Sequence, residues 1–196
     1  RHRSDNLFGV LTAIVRLSAR GAMDAQDLAS KIEKRIEALA GAHRVSLSKE
    51  GLQQDKTNLR ALVEEVLRPY RNTHVDRIDI AGKLIELPRG YVTPIGLTLH
   101  ELATNALKYG ALSENDGKVH VDWTIGRDRM LEIHWRETKG AATPELESQP
   151  TTLGGGSGTR LIEGVIRELQ GTVETKFAPE GFRATLRIPV PERALA

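Results

Sequence analysis

Glu101, Asn105 and Lys108 are spaced by four and three residues, which on a helix brings a carboxylate, an amide and an ammonium into one row. The row lies opposite the apolar face formed by Ile95, Leu99, Leu102, Ala103 and Ala106, on a helix expected from Thr93 to Tyr109. Such a row can hold a hydrated Mg2+ and a phosphate tail. Asparagine is also a poor choice inside a helix, because its side chain competes for backbone partners. Periodicity alone fits equally well the wet side of an ordinary surface helix.

The segment Gly154-Gly155-Gly156-Ser157-Gly158-Thr159-Arg160 is a second candidate. Glycines allow a backbone to approach a ligand closely, and the helix expected after it, from about Thr159 to Leu169, offers free N–H groups to phosphate. A flexible loop would look the same. The pattern matches neither the P-loop nor the dinucleotide fingerprint. Glu137 is the third candidate. It follows Leu131, Ile133 and Trp135 at alternate positions, so a regular strand puts its carboxylate on an apolar face, where it needs a partner. If the strand ends earlier, Glu137 is an ordinary exposed residue. His120 and His134 alternate out of phase with their apolar neighbours and are expected to face solvent. His43 and His74 have no obvious partner, and no histidine pair has the spacing of a zinc site.

The elements that must position these groups fall into two sets. Residues 4–20 carry an apolar stripe (Leu7, Val10, Leu11, Ile14, Val15, Leu17). After Gly21, Asp24 can cap a second helix with Leu28, Ile32, Ile36 and Leu39 on one face. A short link makes the two antiparallel neighbours. Val45–Thr57 loses the pattern and is read as an inter-domain link. Asn58 then caps a helix through Leu67, ended by Pro69. Strands are expected near Arg77–Ala81 and Leu84–Leu87, along Val119–Ile125 and Leu131–Trp135, and as a hairpin from Val173 to Ile188 turning at Pro179–Gly181. Thr138–Ser157 has no period. Helices interleaved with antiparallel strands imply an α+β chain: a helical hairpin over residues 1–50, then an α/β sandwich over 57–196 with its helices on one sheet face.

With 28 basic against 26 acidic residues among 196, the net charge of +2 implies no general polyanion surface, and nucleic acid is not an expected partner. There are no cysteines, hence neither disulfides nor thiolate metal sites. The longest apolar stretch of the first helix is far short of the ~20 residues of a membrane span, so no membrane contact is expected from this segment. The chain opens on Arg1 rather than Met and is read as part of something longer.

Together the motifs resemble those of the HWE histidine kinases. Leu99-His100-Glu101-Leu102-Ala103-Thr104-Asn105-Ala106-Leu107-Lys108-Tyr109-Gly110-Ala111-Leu112-Ser113 is similar to the family's N box, Trp135-Arg136-Glu137 to its W-x-E, and Gly156-Ser157-Gly158-Thr159-Arg160-Leu161-Ile162 to its glycine box. His2-Arg3-Ser4-Asp5-Asn6 resembles the phosphoacceptor segment. Lys139 and Ala141 stand where the family usually has Gly and Pro, Ser157 where it has Phe, and Asp5 where Lys is common.

The resemblance implies a dimerisation and phosphotransfer hairpin followed by a Bergerat (GHKL-like) ATP-binding domain. ATP and Mg2+ are the implied cofactors, with His2 as phosphoacceptor and Glu101 and His100 as catalytic candidates. His100 sits to one side of the polar row and is equally suited to orienting a neighbour. Asn105 would coordinate Mg2+, and Lys108, Tyr109, Gly156, Gly158 and Thr159 would line the nucleotide. Glu137 would accept a hydrogen bond from the adenine amine, and Thr138–Ser157 would form a lid. The implied function is the histidine kinase module of a cytoplasmic two-component protein that phosphorylates His2 and then an aspartate of a response regulator receiver domain. A sensor domain is expected N-terminal to the hairpin, and a homodimer through the hairpin or a monomer is expected in solution. The rival readings are an ATPase of the same fold, and a phosphotransfer module whose nucleotide site has decayed.

Overall fold

A computed structural model describes residues 10–16, 18–19, 22–46, 56–73, 76–138, 157–178 and 180–191. His2, Gly156 and nearly all of the expected lid lie outside them. Helix α1 covers residues 10–16 and 18–19, and α2 runs Ala25–Ser46. The Asp24 carboxylate accepts a hydrogen bond from the Asp27 amide at 2.8 Å, the cap its position suggested. Strand β1 (Lys56–Asn58) leads into α3 (Leu59–Thr73), where the Asn58 side chain accepts from the Ala61 amide at 3.1 Å. Next come β2 (Ile78–Gly82), β3 (Glu86–Pro88), α4 (Arg89–Tyr109), a 3-10 turn (Ala111–Ser113), β4 (Lys118–Ile125) and β5 (Met130–Thr138). Helix α5 (Ser157–Glu168) and the hairpin β6 (Thr172–Ala178) and β7 (Gly181–Pro189) complete the chain.

Five strands form one sheet in the order β2-β4-β5-β7-β6, with β2 parallel to β4 and the remaining pairs antiparallel. Alternate residues of β4, β5 and β7 are buried: Val119, Val121 and Trp123; Leu131, Ile133 and Trp135; Phe182, Ala184, Leu186 and Ile188. Their shared face meets α3, α4 and α5, so the expected sandwich with one helical layer is the fold. Among the described residues no helix is long and apolar enough to cross a membrane.

Three expectations need correction. The supposed link contains β1, which pairs antiparallel with β3 from Lys56↔Pro88 to Asn58↔Glu86. Three mostly polar residues carry no period, and their partner is far along the chain. Pro69 does not end α3, which continues to Thr73 because Tyr70 is buried against the helical layer and holds the last turn in place. Helix α4 starts at Arg89, and Pro94 sits in its second turn.

The hairpin does not stand apart from the sandwich. Val10, Ile14, Leu39 and Ala42 belong to the same hydrophobic core as Leu62, Val66 and Leu99. Helix α2 packs along both α3 and α4, and this docking determines the surroundings of the polar row.

Candidate functional site

The row on α4 is not uniformly wet. Asn105 is half-buried and Lys108 exposed, and neither makes a hydrogen bond to another described residue. Glu101, expected beside them on the open face, is only 6% exposed. It lies under the hairpin. Arg35 of α2 donates from Nε to Glu101 Oε1 at 2.7 Å and from a terminal nitrogen to Oε2 at 2.9 Å. The other terminal nitrogen of Arg35 donates to Ser18 Oγ of α1 at 2.6 Å. A two-pronged pair of this kind satisfies both charges in a buried setting. Helical periodicity correctly gave the direction of Glu101 but could not show that another helix covers it.

The glycine segment reaches the same carboxylate. Gly158 opens α5, and a Cβ placed on it would stand 2.7 Å from Glu101 Oε2. Only a glycine lets the start of α5 come this close without moving Glu101. The Thr159 hydroxyl is buried without a hydrogen-bond partner among the described residues. Glu101, Gly158 and Thr159 are thus gathered at the N-terminus of α5, where a helix favours anions.

Glu137 lies on the apolar face of β5, as the alternation required, and is 4% exposed. The exposed strand-end alternative therefore does not hold. Its Oε1 accepts from the Trp135 indole N–H at 2.9 Å and its Oε2 from the Ala111 amide at 2.8 Å. A Cβ on Gly110 would fall 2.0 Å from Oε2, so a glycine is needed where the chain leaves α4. Arg77 grips the same turn from the other side, donating to the carbonyls of Ala111 at 2.9 Å and Gly117 at 2.8 Å. The brace between Glu137 and Ala111 was not visible in the sequence. Arg77 carried no signal for this grip, since the atoms it holds here are backbone carbonyls.

Burial pushes the Glu137 carboxyl above the usual range, while the two donated hydrogen bonds pull it back. A glutamine here keeps one acceptor oxygen and turns an NH2 group toward a second donor. Glu137→Gln is therefore expected to destabilise the fold by about 1–3 kcal/mol in urea unfolding, the range for leaving a buried donor unpaired. An unchanged midpoint would mean that the brace contributes nothing.

His100 does not join the row. Its Nδ1 stands 2.9 Å from the Tyr70 hydroxyl of α3, and Thr104 donates to its backbone carbonyl. Burial holds the His100 imidazole below the ordinary histidine range; Arg35 and Lys34 act in the same direction, and the carboxylates of Glu101 and Glu37 oppose them. Burial likewise raises Tyr70 to about 12, so its hydroxyl keeps its proton. The folded chain thus resists a proton that an unfolded histidine accepts near pH ~6.5. The contribution of His100 is complete above that value and is lost as pH falls through the lower folded one. We expect the melting temperature to fall less between about pH 7 and pH 5 in His100→Asn than in the unaltered chain, because only the latter must keep a buried imidazole neutral. Parallel curves would contradict this environment for His100.

Tyr109 is 71% exposed beside Lys108. No group of three or more potential metal ligands of the His, Cys, Asp or Glu type occurs among the described residues. A metal here would be held by Asn105 together with oxygens of a ligand.

A sheet backed by three helices, with a polar row and a glycine-opened helix meeting at one end, agrees with the comparisons with known proteins. Residues 1–84 match the family model described as HWE histidine kinase. The chain is 41% identical over 190 residues to the blue-light-activated histidine kinase 1 of Erythrobacter litoralis strain HTCC2594, an alignment covering 97% of this chain and 51% of the relative. The solved blue-light activated histidine kinase EL346 of Erythrobacter litoralis superposes with a TM-score of 0.70 at 15% identity, over 98% of this chain and 61% of that one. The ATP binding domain of PrrB from Mycobacterium tuberculosis superposes at 0.51 and 20% identity, over 70% of this chain and 97% of that one. The fold is shared with these histidine kinase structures, with the first over nearly the whole chain and with the second over 70% of it. The chain is thus similar to the HWE histidine kinases over residues 1–84 and to a blue-light-activated histidine kinase along nearly all of its own length, and it spans about half the length of the curated relative it matches.

Proposed function

We propose that this chain is the kinase module of a two-component signalling protein: it binds ATP with Mg2+, transfers the γ-phosphate to His2, and passes it to an aspartate of a response regulator. The observation that carries this reading is the approach of Gly158 to Glu101, which brings the N box and the glycine box together at the N-terminus of α5. The Thr159 hydroxyl and the Asn105 amide, neither of which has a hydrogen-bond partner among the described residues, support a ligand at that end.

Phosphoryl transfer asks the protein for positioning and charge more than for covalent chemistry. Lys108 supplies a cation to the phosphate tail, the first amides of α5 supply donors, and Thr159 adds a hydroxyl. Mg2+, when bound through Asn105, would neutralise charge shared between phosphate oxygens. Tyr109 and Gly156 flank the nucleotide. Glu137 holds the turn after α4 in shape at the base end, and a further lone pair on its carboxylate accepts from the adenine amine. His2 attacks as neutral imidazole, its ordinary form near neutral pH. A receiver domain takes the phosphate next. The module works in the cytoplasm, downstream of an N-terminal sensor, as a homodimer through the hairpin or as a monomer.

Incubation with γ-labelled ATP tests the reading. Phosphate retained on the protein, labile in acid and stable in base, is the expected result. Free phosphate without labelled protein would favour an ATPase of the same fold, and no nucleotide binding would favour a decayed site.

A further inference from the structure

The Arg35–Glu101 pair is the strongest polar contact between the hairpin and α4, and the phosphate chemistry above does not use it. Its two side chains are 6% and 8% exposed. Arg35 is held in place from the hairpin side by Ser18, so the guanidinium is tied to both α1 and α2. Glu101 is held from the other side against the start of α5, where Gly158 makes room for it. The Asp27 carboxyl of α2 is held below the usual range by hydrogen bonds from Lys31 and the Met23 amide, to which Lys108 of α4 adds the smallest contribution. Helix α2 therefore brings a charge of opposite sign directly onto Glu101 of the row.

The electrostatic consequence depends on what stands beside α5. An anionic phosphate tail at the N-terminus of α5 meets the Glu101 carboxylate within a few ångströms. With the hairpin docked, Arg35 cancels that charge. With the hairpin lifted, the carboxylate is bare and repels the tail. We propose that Arg35 is a positioning residue that couples hairpin docking to nucleotide binding: by neutralising Glu101 it lets the triphosphate settle, and the bound triphosphate in turn holds the hairpin down. The coupling is reciprocal by thermodynamic necessity, and it grows with the charge of the tail. ATP therefore favours the docked hairpin more than ADP does, and adenosine not at all. This rests on the nucleotide site proposed above and adds to it a means by which the hairpin senses whether that site is loaded.

The test is calorimetric titration of the whole chain with Mg-ATP, Mg-ADP and adenosine. Arg35→Gln is expected to weaken ATP about tenfold, ADP less, and adenosine negligibly, the size of one unscreened charge at this range in a partly wet site. Arg35→Lys keeps the charge but loses the two-pronged geometry and the Ser18 bond, so it should recover part of the lost ATP affinity, more than Arg35→Gln does. Adding Glu101→Gln to Arg35→Gln removes both charges and should recover most of the lost affinity. Equal losses for all three ligands, or failure of the lysine to rescue, would make Arg35 a packing residue and overturn the proposal. Tighter ATP binding by Arg35→Gln would show that the hairpin covers the site instead, which also overturns it. Should Arg35→Gln fail to melt cooperatively, Glu101→Gln alone decides: it should strengthen ATP relative to adenosine, and an unchanged ratio overturns the coupling. Absence of ATP binding by the unaltered chain would instead overturn both the coupling and the function on which it rests.

Discussion

His2→Ala is expected to abolish labelling from γ-labelled ATP while changing nucleotide affinity by less than about twofold, as for sites that share no partners. His2 opens the segment that resembles the family's phosphoacceptor motif, at the start of the hairpin, whereas the groups proposed to hold the nucleotide belong to α4, β5 and α5. An alanine has no nucleophile, so no slower route through the same position remains. The measurement is paired: label retained on the denatured protein, and calorimetric affinity for Mg-ATP. Label persisting in the variant would move the acceptor to another residue, and the likeness of the first six residues to the acceptor motif would then carry no meaning. Loss of label together with loss of binding would show that the N-terminal segment helps to build the nucleotide site.

Asn105→Ala should remove Mg2+-dependent ATP binding, and with it kinase activity, without cost to the fold. The side chain lies opposite the buried face of α4 and makes no hydrogen bond to another described residue, so the core loses nothing. Alanine is also the better helix former by about 0.5 kcal/mol, so the melting temperature should hold or rise slightly. This sign separates a functional asparagine from a structural one, because a residue kept for stability lowers the melting point when replaced. Calorimetry with and without Mg2+, beside a thermal melt, supplies both numbers. A collapsed melting point with intact ATP affinity would reverse the assignment and leave the phosphate end without its metal-binding group.

Most of what the sequence determined by itself is local. Asp24 and Asn58 were legible as caps because a cap needs only a side chain and an amide three residues on. The apolar alternation of β4, β5 and β7 was legible because successive side chains of a strand point to opposite faces, and the sheet buries the face it indicated. The same alternation puts Glu137 on the buried face provided the strand stays regular that far, and the length of β5 is the part it leaves open. The polar row on α4 and the glycines before α5 could be recognised as candidate chemistry, since residue type and spacing are enough to raise that question.

Tertiary structure decided where each of those groups stands. The β1–β3 pairing depends on segments about thirty residues apart, and β1 alone is too short to show a period. The helical course of α3 through Pro69 depends on Tyr70 meeting His100 of α4. Glu137 was placed by its strand, but its partners are Trp135 next along the same face and Ala111 from the turn after α4. The largest change concerns Glu101, which shares a helix face with Asn105 yet is buried beneath Arg35 from sixty-six residues earlier. Periodicity fixes the direction of a side chain about its own helix axis. What covers that direction depends on which helix docks there, and docking is set by packing between distant segments that no local pattern encodes.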